Sequence, residues 1–512
     1  MIQWGMGGSW YSRESVILGG SMMSVQHLLR MPAALSIGIS HFLASGSMVR
    51  GALALASLTA AGLIDTRTAS AVPSYARQTG QPCATCHTAF PELTPFGRQF
   101  KLMGYTSGGT RCGDGSAKSD ETQVPLSVMA WPATFTSYKN KNANPTSPPN
   151  SINDNDWIPG QFSLFVAGQL WCDVGIFQQM TYDRPGNAFS WDNTDIRYAK
   201  TGVIEGTSIV YGITANNNPT VQDVWNSTPA WAFPFITSEV APTPAASTML
   251  GGTAWAGQVG GVGGYVWIDN SIYIELTAYG ALSPRLLTDL GANPAANRFP
   301  DAAPYWRVAY EKTWDKNSLM FGTFGMYANQ QLTNGALGFA GSPNAIAIGP
   351  TDPTIDVGVD SQYQWIGEEH VFTVRASYIW ENKSNAAEIA AGTPANLNDQ
   401  LNDLNVNASY IYDRTISFTV GRFETWGTTD AAIYTSSPNG KPNSSGWNFD
   451  LAYLPFSNEG PDLWPWFNAR IGVLYTHYDV FNGTPGLAPA ANGTPVKASG
   501  NDTVFFYSWL MF

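Results

Sequence analysis

The chain has 512 residues, of which 12% are charged and 13% aromatic, with 51 Gly, 33 Pro and a net charge of −12. This composition excludes a coiled coil and an ordinary α/β enzyme, and the lack of any basic cluster or stripe excludes a nucleic-acid binder. A high content of aromatic residues, Gly, Asn and Thr suits many strands joined by turns.

Residues 1–71 read as an export leader. Arg50 precedes the apolar run 51–63, and the small-residue pattern Ala69-Ser70-Ala71 follows it. Cleavage is expected after Ala71, leaving Val72 as the mature N-terminus. An uncleaved anchor is the alternative, but the run is short and ends at Asp65. Met22, Met23, Met31 and Met48 are alternative starts.

The next segment, 72–110, holds the element Cys83-Ala84-Thr85-Cys86-His87. Two thiols at this spacing reach the two vinyl groups of one porphyrin. The following histidine then lies under the iron, as at the attachment site of a c-type haem. With four Cys and five His in the whole chain, a chance match is improbable. A redox C-x-x-C expects a thioredoxin-like βαβ context, and zinc needs a second ligand pair; the sequence offers neither. Covalent haem c on Cys83 and Cys86, with His87 as proximal ligand, is therefore the reading.

Leu93, Phe96 and Phe100 predict an apolar stripe on a short helix that begins near Pro91, stops at Gly104 and packs on the porphyrin. About 35 residues cannot bury a haem alone, so the segment must dock against the rest of the chain. Arg77, Arg98 and Lys101 are either partners of the haem propionates or solvated helix charges. The distal ligand is sought among few residues, since the only other histidines after the leader are His370 and His477. Met129, in the first predicted strand, is preferred; Met103, at the end of the haem helix, is the alternative, and an open sixth position is the third option.

A linker at 111–123 leads into a long remainder, 124–512. Strand-like runs fall at 161–171, 173–182, 271–279, 305–313, 318–327, 370–380, 406–412, 415–423, 447–453, 467–478 and 504–512. With weaker runs, such as those at 124–138, 208–214 and 355–365, the expected total is about 16, the size of a porin-type barrel. No stretch after residue 70 is long and apolar enough for a spanning helix, so any membrane crossing must use a closed barrel. A tight turn is expected at 412–414, and long polar loops at 139–157 and 328–350. The chain ends on a strand with a terminal aromatic, Phe512. The expected fold is all-β: an outer-membrane barrel of about 16 antiparallel strands, with the small α-helical haem segment plugging it and lipid around it. Cys112 and Cys172 either pair or stay unpaired.

The segment 73–80, the C-x-x-C-H element and Phe90-Pro91-Glu92-Leu93-Thr94-Pro95-Phe96-Gly97-Arg98 together resemble the fused monohaem cytochrome–porin family of iron-oxidising bacteria. The stretch 217–226, followed by Pro229-Ala230-Trp231, is similar to an element in the barrel part of that family. The terminal Phe512 resembles the assembly signal of bacterial outer-membrane barrels. The resemblance implies an outer-membrane oxidoreductase that oxidises extracellular Fe(II) to Fe(III). It also implies a periplasmic acceptor, either a c-type cytochrome or a blue-copper protein. Asp173, Asp192, Asp195 and Asp223 are lumen carboxylates that could attract Fe(II), without assignment as ligands. A haem-bearing diffusion porin, a conduit for a different donor, and a soluble periplasmic cytochrome fused to a β domain are the rival readings.

Overall fold

The computed structural model describes residues 73–109, 125–139, 155–183, 187–252, 255–292, 297–333, 346–457, 467–485, 487–489 and 495–512. The expected leader, its cleavage point, the whole of the expected linker, and Cys112 lie outside them.

Sixteen antiparallel strands among the described residues form one closed barrel. They are β1 Leu126–Ala130, β2 Phe162–Trp171, β3 Val174–Asp183, β4 Ala188–Ile204, β5 Thr207–Asn216, β6 Val259–Ile268, β7 Ile272–Ala281 and β8 Ala303–Trp314. Then follow β9 Asn317–Thr333, β10 Ala347–Ile366, β11 His370–Ser384, β12 Asn398–Tyr412, β13 Ile416–Gly427, β14 Ser444–Tyr453, β15 Asn468–Val480 and β16 Thr503–Met511. Each strand pairs with the next in sequence, and β1 closes the ring by pairing β2 on one side and β16 on the other. Met129 faces Met511 across that seam. A one-residue bulge at 131–133 then interrupts the first strand, which resumes at Thr134–Tyr138 against β16. Pro132 sits in the bulge, where no ladder N–H is needed.

Every run named from the sequence falls in a strand, but the ends move by up to eight residues, as where β10 begins at Ala347 and β12 at Asn398. Two strands went unpredicted. Ala188–Ile204 mixes Asp, Asn and Arg, and Val259–Ile268 holds four glycines that hide its alternation. The loop expected at 328–350 is shorter than that, because β9 runs on to Thr333 and pairs β10 from Ala347.

Short turns gather at one end: Cys172–Asp173, Glu205–Gly206, Asp269–Ser271, Asp315–Lys316, Gly367–Glu369 and Asp413–Thr415. Several of their residues take positive φ, including Asp269, Asn270, Asp413 and Arg414, as tight hairpins require. Phe512 lies at this same end, paired to Val128. Apart from 454–467, the longer connections gather at the other end, so the short-turn end is periplasmic.

Outward positions carry exposed Ile213, Val262, Leu276, Phe321, Val374 and Leu451. Inward positions carry buried Asp195, Arg197, Glu275, Arg307, Asp360 and Arg470. An apolar outside around a charged inside is the arrangement of a barrel set in hydrocarbon. No helix among the described residues is long and apolar enough to cross a membrane, so the strands are the spanning elements. The chain is an outer-membrane β-barrel of porin type.

Two segments fill the lumen. The first is the N-terminal plug, with helices α1 Pro73–Thr79, α2 Cys83–Cys86 and α3 Pro95–Leu102. The second is the connection after β5, which folds inward: Asn217, Val221, Gln222, Asp223, Val224 and Trp225 are all buried. The stretch singled out in the sequence, 217–226, is the start of this inward loop.

Candidate functional site: the lumen cavity at the plug

The plug is held by charge pairs that a lumen makes possible. Arg98 on α3 donates from Nε to Glu311 Oε2 at 3.3 Å, and from its terminal nitrogens to Gln364 and Ser318 at 2.7 and 2.8 Å. Glu92 accepts from Arg375 at 3.1 Å and from Ser409 at 2.8 Å. Tyr105 donates to Asp195 at 2.6 Å, and Arg470 donates to the Phe90 carbonyl at 2.5 Å. Lys101 Nζ donates to the carbonyls of Val221 and Asp223 at 2.7 and 2.6 Å, and lies 4.9 Å from the Trp231 ring centre. It therefore ties α3 to the inward loop. Arg98 and Lys101 are buried anchors, not the solvated helix charges allowed for from the sequence; each is under 10% exposed. Burial and the nearby Arg197 push the Lys101 ammonium down to about 7.

Helix α3 also differs from its expected form. It begins at Pro95, not near Pro91, because the Thr94 hydroxyl caps it by accepting from Gly97 N at 3.1 Å. Residues 88–92 instead form a turn, with His87 and Leu93 bridged across it. Phe96 is 43% exposed and lies off the apolar stripe, whereas Phe100 is buried. The rotation follows from Arg98 and Leu102, which must face the barrel wall. Gly104, at φ 65°, ends the helix as expected.

A cavity of about 400 Å³ lies between plug, inward loop and barrel wall. Cys86, His87, Phe90, Leu93, Gly97 and Phe100 line it from the plug. The wall adds Met129, Trp131, Phe165, Phe177, Trp509 and Met511, and the inward loop adds Asn226, Trp231, Phe235 and Ile236. Its volume and mostly apolar lining are those of a cofactor site. The Phe90 ring stands edge-on to the His87 ring at 5.4 Å and to Trp509 at 4.8 Å.

His87 is half-buried within this lining, and its Nδ1, itself shielded from solvent, has no hydrogen-bond partner among the described residues. Burial lowers its pKa to about 4, against the pull of the backbone at Pro91 and Glu92, so the ring is neutral near neutral pH. That is the form that ligates a metal. Neither Cys83 nor Cys86 is in a disulfide. Burial pushes the Cys86 thiol up to about 11 and that of Cys83 higher still. Cys83 packs on Ala76, which lines the cavity, and its sulfur accepts from Asn468 Nδ2 at 3.2 Å. A Cβ on Gly97 would collide with the Cys86 carbonyl, so only glycine lets α3 lie this close to the C-x-x-C-H turn. The site thus supplies an unpartnered buried imidazole nitrogen and the Cys86 thiol on a large apolar cavity, with Cys83 buried against Ala76 and not itself in the lining, a donor set that fits a haem.

Of the two methionines considered from the sequence, Met129 lines this cavity. Met103 packs beside Leu102 and Trp225 in a separate cluster, outside the cavity lining. Met511 lines the cavity next to Met129; nothing in the sequence pattern marks it, because only the pairing of first and last strands brings it there. His370 stands at a turn on Tyr410, and His477 pairs with Asp502; neither lines the cavity. Arg77 donates to the Leu126 carbonyl at 2.5 Å. Asp173 sits in a short turn with Lys200 at 3.2 Å, so it is not a lumen carboxylate. Asp195 is paired with Arg197 and Asp223 with Arg307. Asp192 does line the cavity. Cys172 is disulfide-bonded.

No protein-family profile matches the chain, and no curated protein does. Solved structures of outer-membrane proteins do. A loop-deleted OmpT of Vibrio cholerae is 8% identical, with 76% of this chain and 99% of that one covered, at a TM-score of 0.39. The OmpF of Salmonella typhi, in complex with daunomycin, is 15% identical over 76% of this chain and 97% of its own, at 0.38. An anion-selective porin from Comamonas acidovorans is 9% identical over 75% and 98%, also at 0.38. The fold assignment rests on this chain's own strand pairing.

Proposed function

We propose that the chain is an outer-membrane c-type cytochrome that oxidises extracellular Fe(II) and passes the electron to a periplasmic carrier. One observation carries this reading: the C-x-x-C-H segment is a plug inside a barrel, with His87, Cys86 and Met129 on one cavity. Cys83 and Cys86 would hold the haem, His87 would be its proximal ligand, and Met129 its distal ligand. When bound, the haem would supply a one-electron couple, accepting the electron that Fe(II) loses and yielding it to a periplasmic c-type cytochrome or blue-copper protein.

The chain's own residues supply the rest. Burial keeps His87 neutral and able to ligate. Phe90, Trp131, Trp509 and Phe165 exclude water, which keeps a redox centre from exchanging ligands with solvent. Arg414, in a periplasmic turn, donates to the His87 carbonyl at 3.4 Å, so the attachment segment lies toward the side of the acceptor. Ferric product, insoluble near neutral pH, stays outside the cell.

The haem-bearing porin, with solute passage as the function, is the second reading. The plug and the inward loop both occupying the lumen weigh against it. The test of the proposed function is anaerobic mixing of the oxidised protein with Fe(II) in a stopped-flow spectrometer, at acidic and neutral pH. Reduced-haem bands should grow at a rate that rises with Fe(II) concentration. If they fail to appear while dithionite reduces the haem, iron is not the donor and a conduit for another donor replaces this reading.

A further inference from the structure

The cavity is apolar over most of its wall but polar where β3 and β4 line it, with Gln179, Asp192 and Asn193. Asp192 is the one carboxylate among the lining residues, and it is only partly buried. Its Oδ2 accepts from the Thr181 hydroxyl at 2.8 Å and its Oδ1 from Asn193 Nδ2 at 3.0 Å. Asn193 Oδ1 accepts from Asn218 at 2.9 Å. The acids that hold the plug are matched by arginines: Glu92 on the plug by Arg375 of the wall, Asp195 by Arg197, and Glu311 by Arg98. Asp192 has no cationic partner among the described residues. An ionised carboxylate keeps lone pairs beyond two hydrogen bonds, and an unmatched charge in an apolar cavity attracts a cation strongly. The residue lies toward the long-loop end of β4, the side from which an extracellular cation arrives, whereas Arg414 ties His87 to the periplasmic turns.

We propose that Asp192, with the side-chain oxygens of Gln179 and Asn193, is the encounter site for hydrated Fe(II) at the outer part of the cavity. This rests on the proposed function. Carboxylate and amide oxygens suit a hydrated divalent ion, and a single carboxylate holds it weakly enough to let the oxidised ion leave.

The test uses the full chain in detergent, with heat-modifiability on gels as the check of folding. Mn(II), a redox-inert stand-in, is titrated and followed by electron paramagnetic resonance. Asp192→Asn should weaken Mn(II) binding and slow haem reduction by Fe(II), each roughly tenfold, leaving reduction by dithionite unchanged. Asp192→Glu should restore most of both, and Asp173→Asn, at a remote turn, should alter neither. If Mn(II) binding and Fe(II) rates are the same in wild type and Asp192→Asn, the encounter site is refuted while the proposed function stands. If Mn(II) binding depends on Asp192 but Fe(II) never reduces the wild-type haem, the cation site stands and the iron-oxidase reading falls.

Discussion

Met129 and Met511 face each other across the seam that closes the barrel, and both reach the cavity that His87 reaches. The oxidised protein should show a methionine-to-iron charge-transfer band that Met129→Ala removes and Met511→Ala leaves. Loss with Met511→Ala instead would move the distal ligand one strand over; survival in both variants would reject a methionine ligand from this wall. Lys101 links the stability of the fold to pH. Its folded pKa of about 7 lies below that of an unfolded lysine, about 10.4. Between those values the unfolded chain binds more protons, so this residue makes stability rise with pH across that window. Below about 7 both states are protonated, and the cost of burying the charge is fully present. Relative to Lys101→Met, the wild-type thermal midpoint should therefore climb from pH 7 toward 10; parallel profiles would contradict this.

The plug is the element on which the account turns. Its short helices have too little surface to fold alone, and their stability comes from pairs such as Arg98–Glu311 and Glu92–Arg375. Arg98→Ala would leave Glu311 buried beside an empty space, a loss on the order of 3–5 kcal/mol. Urea unfolding followed by fluorescence should show that loss, and limited proteolysis should cut the plug before the barrel. That the segment around Cys83–His87 docks inside the barrel was legible from its length, because about 35 residues cannot form a core alone. Its rotation was not: Phe96 and Phe100 look equivalent in sequence, and only Arg98 and Leu102 turning to the wall decide that Phe100 is buried. The inward loop was illegible for a related reason. Residues 217–228 have no period of two or of 3.6, and their burial arises from partners far along the chain, such as Glu275 for Gln222 and Glu311 for Trp225.

For the whole molecule, alternation along strands such as 370–378 and the closing aromatic strand were enough to predict an outer-membrane barrel of this size. Where glycines or polar residues broke the alternation, as in Val259–Ile268, single strands were lost while the architecture survived. A barrel filled by plug and inward loop should pass almost no current in a planar bilayer, and removal of residues 73–109 should open it measurably. A large conductance in the intact chain would favour the porin reading. Haem staining after denaturing gel electrophoresis decides whether the barrel carries one covalent haem on its plug. Wild-type protein should stain, with one haem per chain by pyridine haemochrome assay, and Cys83→Ala or Cys86→Ala should lose or weaken the stain. A folded, membrane-inserted wild-type chain that never stains and whose Cys83 and Cys86 titrate as free thiols would contradict it.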